Sequence, residues 1–196
     1  MRFKSAFSLA AIFLILSALP GRAPFAQKVV NIEAKGNLQP TVALGCMDLD
    51  KVVNTETPAD LYPAMSACIH ESDYEKAVRL FAVAGVYARF DELRVADKTA
   101  HDARTVLIMQ AMSKASDEQK NGYQKALHDV AGQPAKLAEL CGKIRQLGPP
   151  NYFPSYMIQH GLGVFTGGNV HPLVEPFDAT AAWQQSLSGY LQCPAV

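Results

Sequence analysis

Nine consecutive apolar residues, Leu80 through Ala88 (LFAVAGVYA), lie inside a segment whose start signal is helical. Ser72-Asp73-Tyr74-Glu75 has the spacing of a capping box, and the helix it opens can run to about Leu93. A helix that is apolar all round has no face to turn to water, so other helices must enclose it. Leu80, Phe81, Val83, Ala84 and Tyr87 are therefore expected in the core. Gly85 costs about 1 kcal/mol against alanine in a helix, which points to a close helix crossing at that position.

Start and stop signals recur on both sides of this element. Thr57-Pro58-Ala59-Asp60 supplies an N-cap, a proline at the first helical position and an acid at the third, opening a helix towards His70. Asp97 or Thr99 caps a third helix, with Ala103, Val106, Leu107, Met109 or Gln110, and Met112 as its apolar stripe. Ser116 with Gln119 starts a fourth that stops at Gly132; Pro134 starts a fifth that stops at Gly148 and Pro149-Pro150. Pro154 to His160 forms a short sixth, and Asp178 caps a last one through Leu191. Period-2 alternation is scarce, so the fold class is all-α: an irregular bundle of about seven helices.

The stretch Asp73-Tyr74-Glu75-Lys76-Ala77-Val78-Arg79-Leu80-Phe81, preceded by a helix from Pro58 and a short turn, resembles the second helix of a tetratricopeptide or Sel1-like repeat. The likeness covers one unit, about residues 58–84, and the chain beyond Ala84 does not repeat it. A solenoid core needs about three copies, so the resemblance implies one TPR-like hairpin inside an irregular domain, and protein binding as its use.

At the N-terminus, Met1-Arg2-Phe3-Lys4 precedes a short apolar run from Ser5 to Ala18 and the breakers Pro20 and Gly21. This reads as a secretory signal peptide over residues 1–26, with cleavage after Ala26 or Ala23 and an uncleaved anchor as the alternative. A lipoprotein reading of Leu44-Gly45-Cys46 fails, because the triplet lies far beyond the apolar run. Residues 27–56, with Val29-Val30-Asn31-Ile32 extended, read as an N-terminal arm, and residues 57–196 as the helical domain. No other long apolar run occurs, so no stable membrane insertion is expected after cleavage, and the location is periplasmic or secreted. Cys46, Cys68, Cys141 and Cys193 all lie beyond the signal segment, and an even count in an oxidising compartment implies two disulfides. Three pairings exist; loop closure favours Cys46 with Cys68 and Cys141 with Cys193.

Two patches carry candidate chemistry. From Arg89 to Arg104, nine of sixteen residues are ionisable, directly after the apolar run. Arg89, Asp91, Arg94, Asp97 and His101 are candidate binding residues. The competing reading is a structural ion-pair network at a helix junction, in which Arg89 leaves the core beside Asp91, Asp97 and Asp102; such networks are the commoner outcome. An Arg89–Asp97 pair is the specific expectation. The second patch runs from His160 to Pro172 through Gly161, Gly163, Gly167 and Gly168, with His160 and His171 as candidates and Glu175 or Asp178 as possible co-ligands. It comes after a helix and lacks GxGxxG spacing, so no phosphate-binding loop is supported. His160 complements a helix C-terminus and His171 a loop; no metal and no cofactor are expected.

Catalytic templates fail. His70-Glu71 begins HExxH but meets Tyr74, no GxSxG occurs, and Asp48-Leu49-Asp50 lacks the glycine of a calcium loop. Tyr152, Phe153, Tyr156 and Phe165 read as core or groove lining. Without residues 1–26 the chain carries 15 basic against 18 acidic residues, a net charge of about −3, which disfavours nucleic acid. The leading expectation is an exported helical protein that acts by binding another protein, as an inhibitor, immunity factor or envelope accessory. The alternative is a small exported hydrolase using the Arg/Asp/His patch. Converging His101, His160 and His171 would favour the enzyme; scattered, they favour the binder.

Overall fold

The structure is a computed structural model that describes residues 33–167 and 171–194; the expected signal peptide, the expected extended Val29–Ile32 and Gly168–Val170 lie outside the described residues. Among these, eight α-helices and two 3-10 turns occur: α1 (Pro58–His70), α2 (Tyr74–Arg94), α3 (Ala103–Met112), α4 (Asp117–Gly132), α5 (Pro134–Leu147), α6 (Ser155–Ile158), α7 (Gly163–Thr166) and α8 (Ala179–Tyr190), with 3-10 turns at Leu49–Lys51 and Lys98–Asp102. No strand forms among the described residues beyond a single antiparallel bridge between Val95 and Leu173. The all-α expectation holds, with one more helix than the seven foreseen, the four-residue α7 inside the glycine-rich segment.

Helix α2 is the centre. Helices α1, α4 and α8 pack on it from different sides, and α3 packs on α1. Every residue from Ala82 to Ala88 is buried, as are Val78 and Leu80. Phe81 is the exception: its ring stands edge-on between Tyr62 and Tyr123 but stays only half-buried, at the rim of a hollow between α2, α4 and α5. The Leu80→Ala variant should therefore lose about 2 to 5 kcal/mol on chemical denaturation, and Phe81→Ala less than a fully enclosed phenylalanine would.

Gly85 meets a side chain rather than a helix backbone. A Cβ there would lie 2.1 Å from the Tyr190 hydroxyl oxygen and Cζ, so the ring of α8 seats directly on this glycine. Alanine gains about 1 kcal/mol of helix propensity, while overpacking costs about 1 to 3 kcal/mol. Gly85→Ala is thus expected to destabilise the wild type on thermal melting and to become neutral or stabilising once Tyr190→Leu has removed the ring.

The caps follow the local chemistry. The Asp60 carboxylate reaches back to the Thr57 backbone N–H at 2.7 Å, Ser116 and Gln119 form a reciprocal box, and Asp178 caps α8 by accepting from Ala181 N–H. At α2 the cap is Asp73, which accepts from the Lys76 N–H; Ser72 instead takes a left-handed φ of 60° and turns the chain. In α3 the buried residues are Ala103, Leu107 and Ala111, leaving Met109 in water.

Residues 33–56 lie against the helices. Asp60, fully buried, also accepts from Thr41 N–H and from Val42 N–H at 3.0 Å, which satisfies a carboxylate that would otherwise be costly to enclose. Leu38 N–H donates to Tyr156 O, and Asn151 N–H donates to Asn54 O. Both disulfides are formed: Cys46 with Cys68 ties this segment to α1, and Cys141 with Cys193 ties α5 to the chain after α8.

Candidate functional site

The C-terminal turns of α2 present two adjacent carboxylates to different surroundings. Asp91 is fully buried. Its Oδ1 accepts from Arg94 Nε at 2.8 Å, and Arg94 Nη2 lies 2.7 Å away; its Oδ2 accepts from the Tyr152 and Tyr156 hydroxyls at 2.9 and 2.8 Å. The Arg94 guanidinium, 12% exposed, lies over the Phe90 and Tyr152 rings, 5.2 and 5.1 Å from their centroids. Burial pushes the Asp91 carboxyl up to about 6, against the lowering effects of Arg94 and the tyrosine hydroxyls. Burial, and after it the Asp91 charge, lifts both phenols well above the ordinary tyrosine range.

Glu92, one residue on, faces the junction with α3. Its Oε2 accepts from Arg89 Nη1 at 2.9 Å and its Oε1 from Arg104 Nε at 2.7 Å, while the Arg104 guanidinium lies over the Tyr190 ring. The expected Arg89–Asp97 pair is absent: Arg89 reaches forward one helical turn to Glu92, and Asp97 accepts from Thr99 and Gly163 instead. Because Glu92 keeps Arg104 when Arg89 is removed, Arg89→Ala strands no buried charge and should cost about 1 kcal/mol, not the larger loss expected of a sole partner.

Asp97 instead joins the two sequence patches. Its Oδ1 accepts from Thr99 N–H and Oγ1–H, and its Oδ2 accepts from Gly163 N–H at 2.8 Å; Thr99 Oγ1 in turn accepts from Leu162 N–H. Gly161 has to be glycine here, since a Cβ would sit 2.3 Å from Asp97 Oδ2. The Thr99 hydroxyl bond, followed by the backbone donors, holds the Asp97 carboxyl below its usual range. Further along, Ala96 N–H donates to Pro172 O and Val174 N–H to Arg94 O, laying residues 172–174 beside 94–96. The start of α7 and residues 172–174 are thereby pinned to the end of α2.

The histidines have separate partners. His101 Nε2 is 3.1 Å from Val95 O, and His160 Nδ1, just past the end of α6, is 2.9 Å from Asn37 Oδ1, which ties residues 33–56 to that end. His171 is exposed on the loop before Pro172. No group of three or more His, Cys, Asp or Glu side chains suited to a metal occurs among the described residues. Of the aromatic cluster, Tyr156 is core and Tyr152 half-buried, both as Asp91 partners, whereas Phe153 and Phe165 face solvent rather than lining a core.

That exposure forms a pattern. Seven large apolar side chains are the most exposed among the described residues, and four of them, Phe153, Leu162, Phe165 and Val174, belong to one stretch of chain. Leu162 is 63% and Phe165 51% exposed, three residues apart at the pinned α7. On another side, the apolar hollow between α2, α4, α5 and the end of α8 encloses about 360 Å³ and is bordered by Phe81, Leu127, Leu137 and Tyr190. A mixed-charge groove of about 1120 Å³ adjoins it, with Asp129 and Lys136 paired across its rim. Neither hollow has a local sequence signal, because each is built by helices distant in the chain.

Comparison with other proteins adds no assignment: no family model, curated protein or solved structure matches the chain.

Proposed function

We propose that this is an exported protein that acts by binding another protein, as an inhibitor, immunity factor or envelope accessory, and that the exposed side chains of Phe153, Leu162, Phe165 and Val174 carry the contact surface. The observation that supports it is the display of apolar side chains on hydrogen-bonded backbone. Leu162, Phe165 and Val174 are held out in water on backbone fixed by Asp97, Thr99 and the Arg94–Ala96 edge. Neighbouring exposed large apolar groups, such as Leu162 and Phe165 at α7, suit a protein contact, and fixing their backbone beforehand lowers the entropic cost of association. The two disulfides suit an oxidising compartment, the basic-then-apolar N-terminal residues suit export, and no described helix is long and apolar enough to cross a membrane. The resemblance of residues 58–84 to a TPR or Sel1-like unit points the same way. The histidines favour this reading over a hydrolase, since His101 and His160 each hold a structural carbonyl or amide group rather than a shared carboxylate.

A photo-crosslinking residue placed at Phe165 tests it in cells that export the protein, with the exposed Gln185 of α8 as the control position. One discrete adduct from Phe165 and none from Gln185 is the expected result. No adduct, or the same adducts from both positions, would refute the surface.

A further inference from the structure

Arg89 and Arg104 share one carboxylate. A strut between α2 and α3 requires a single arginine for Glu92, yet two guanidiniums clasp it, one on each oxygen. The two donor nitrogens are therefore no farther apart than two hydrogen bonds plus the width of a carboxyl group. Glu92 is buried, whereas the arginine side chains remain 35% and 29% exposed. Among the described residues, Arg89 gives one amino group and Arg104 its Nε to Glu92; Arg104 also reaches the Tyr190 hydroxyl, and neither arginine pairs with a second carboxylate. Asp102, two residues before Arg104, pairs with neither arginine, and Arg94 is neutralised by Asp91. The trio of Arg89, Glu92 and Arg104 thus carries a net charge of +1. Arg104 Cζ lies 5.3 Å from the Tyr190 ring centroid, and this contact together with the Glu92 bond restricts the side chain before anything binds.

We propose that Arg89 and Arg104 form a binding site for one carboxylate group, supplied by an acidic side chain or the C-terminus of the protein partner. A monoanion completes the charge balance of the trio, while a dianion would bring excess negative charge against Glu92. Arginine recognises carboxylates through paired N–H donors, and each of these arginines keeps donors that Glu92 does not use. The polypeptide origin of the group rests on the protein-binding reading; the anion site does not.

Acetate is the probe that separates the two. In the exported chain, the Arg89 and Arg104 side-chain Nε–Hε NMR signals should shift saturably with acetate and stay unmoved by chloride at equal ionic strength. Arg104→Gln should weaken that binding by roughly tenfold or more. Arg89→Gln, which leaves Glu92 paired with Arg104, should do the same and serves if the first variant does not fold. No saturable shift in the wild type, or unchanged acetate affinity in a folded variant, would overturn the site. Inorganic phosphate binding more tightly than acetate would overturn its assignment to a carboxylate. Acetate is no protein, so this result can fail while Phe165 still crosslinks, and the reverse.

Discussion

Replacing Asp91 by alanine is expected to destabilise the protein by about 3 to 5 kcal/mol, because removal of one member of a buried ion pair strands the other. Arg94 would keep its charge at 12% exposure without a counter-ion, and the Tyr152 and Tyr156 hydroxyls would lose their acceptor. Denaturant unfolding of Asp91→Ala reads this directly, and a loss under 1 kcal/mol would show that the network relaxes or is hydrated. The same carboxyl gives a pH signature. Its folded value is pushed up to about 6 from an ordinary 3.8, so between these values the folded state binds the proton that the unfolded state has released. Stability from this group therefore falls as pH rises through that window, with a slope of up to about 1.4 kcal/mol per pH unit, and levels off above it. Asp97 and Asp73, held below the ordinary range, act oppositely: their contribution is present above that range and is lost as pH falls through their folded values. The comparison that isolates Asp91 is the difference between wild type and Asp91→Asn from pH 4 to 7, where the falling component should disappear in the variant.

The second large effect belongs to the Cys141–Cys193 bridge. It closes a loop with a sequence separation of 52, and the chain-entropy model assigns about 4 kcal/mol to a loop of that length. The bridge also fastens α5 beside the wall of the apolar hollow made by Tyr190, Leu191 and Gln192. Cys141→Ala with Cys193→Ala should thus lower stability by about 4 kcal/mol and raise hydrogen exchange at the end of α8. The shorter Cys46–Cys68 loop, with a separation of 22, should contribute somewhat less. Equal stability of the oxidised protein and the alanine pair would contradict the assignment.

The elements most legible in the sequence are those whose cause is local. Thr57 with Asp60, Ser116 with Gln119, Pro134 and Gly148 place helix ends because a cap is decided within four residues. The Leu80–Ala88 run marks the central helix because no face of it can be wet. Its one misplaced side chain, Phe81, sits where α4 and α5 stand away from α2, a gap that no pattern within α2 encodes. Charge pairing is legible only as a neighbourhood. The density of ions from Arg89 to Arg104 marks the junction, but spacing alone does not choose among the acids near Arg89; Glu92, three residues on in α2, takes it because Asp91 is held by Arg94 and two tyrosines and Asp97 by Thr99 and Gly163. The acceptor role of Asp91 depends on Tyr152 and Tyr156, 61 and 65 residues away, and no spacing rule reaches that far. The exposed residues are hidden for a related reason: Phe153 and Phe165 read as core or groove lining, and the bonds from Leu162 and Gly163 to Thr99 and Asp97 that fix the start of α7 come from residues more than 60 positions away.

The central claim is that the pinned apolar side chains of α7 and its surroundings bind a protein. Calorimetric titration of the partner captured through Phe165 tests it most directly. Wild type would be compared with a Leu162→Ser, Phe165→Ser chain and with a Val42→Ser, Val53→Ser chain, whose residues are similarly exposed elsewhere. Truncating contact residues at the centre of an interface commonly costs about 2 kcal/mol or more, so the α7 variant should bind at least roughly thirtyfold more weakly with its melting temperature unchanged. The Val42 and Val53 variant should bind like wild type. Equal affinity of the α7 variant and wild type, or an equal loss in both variants, would contradict the claim.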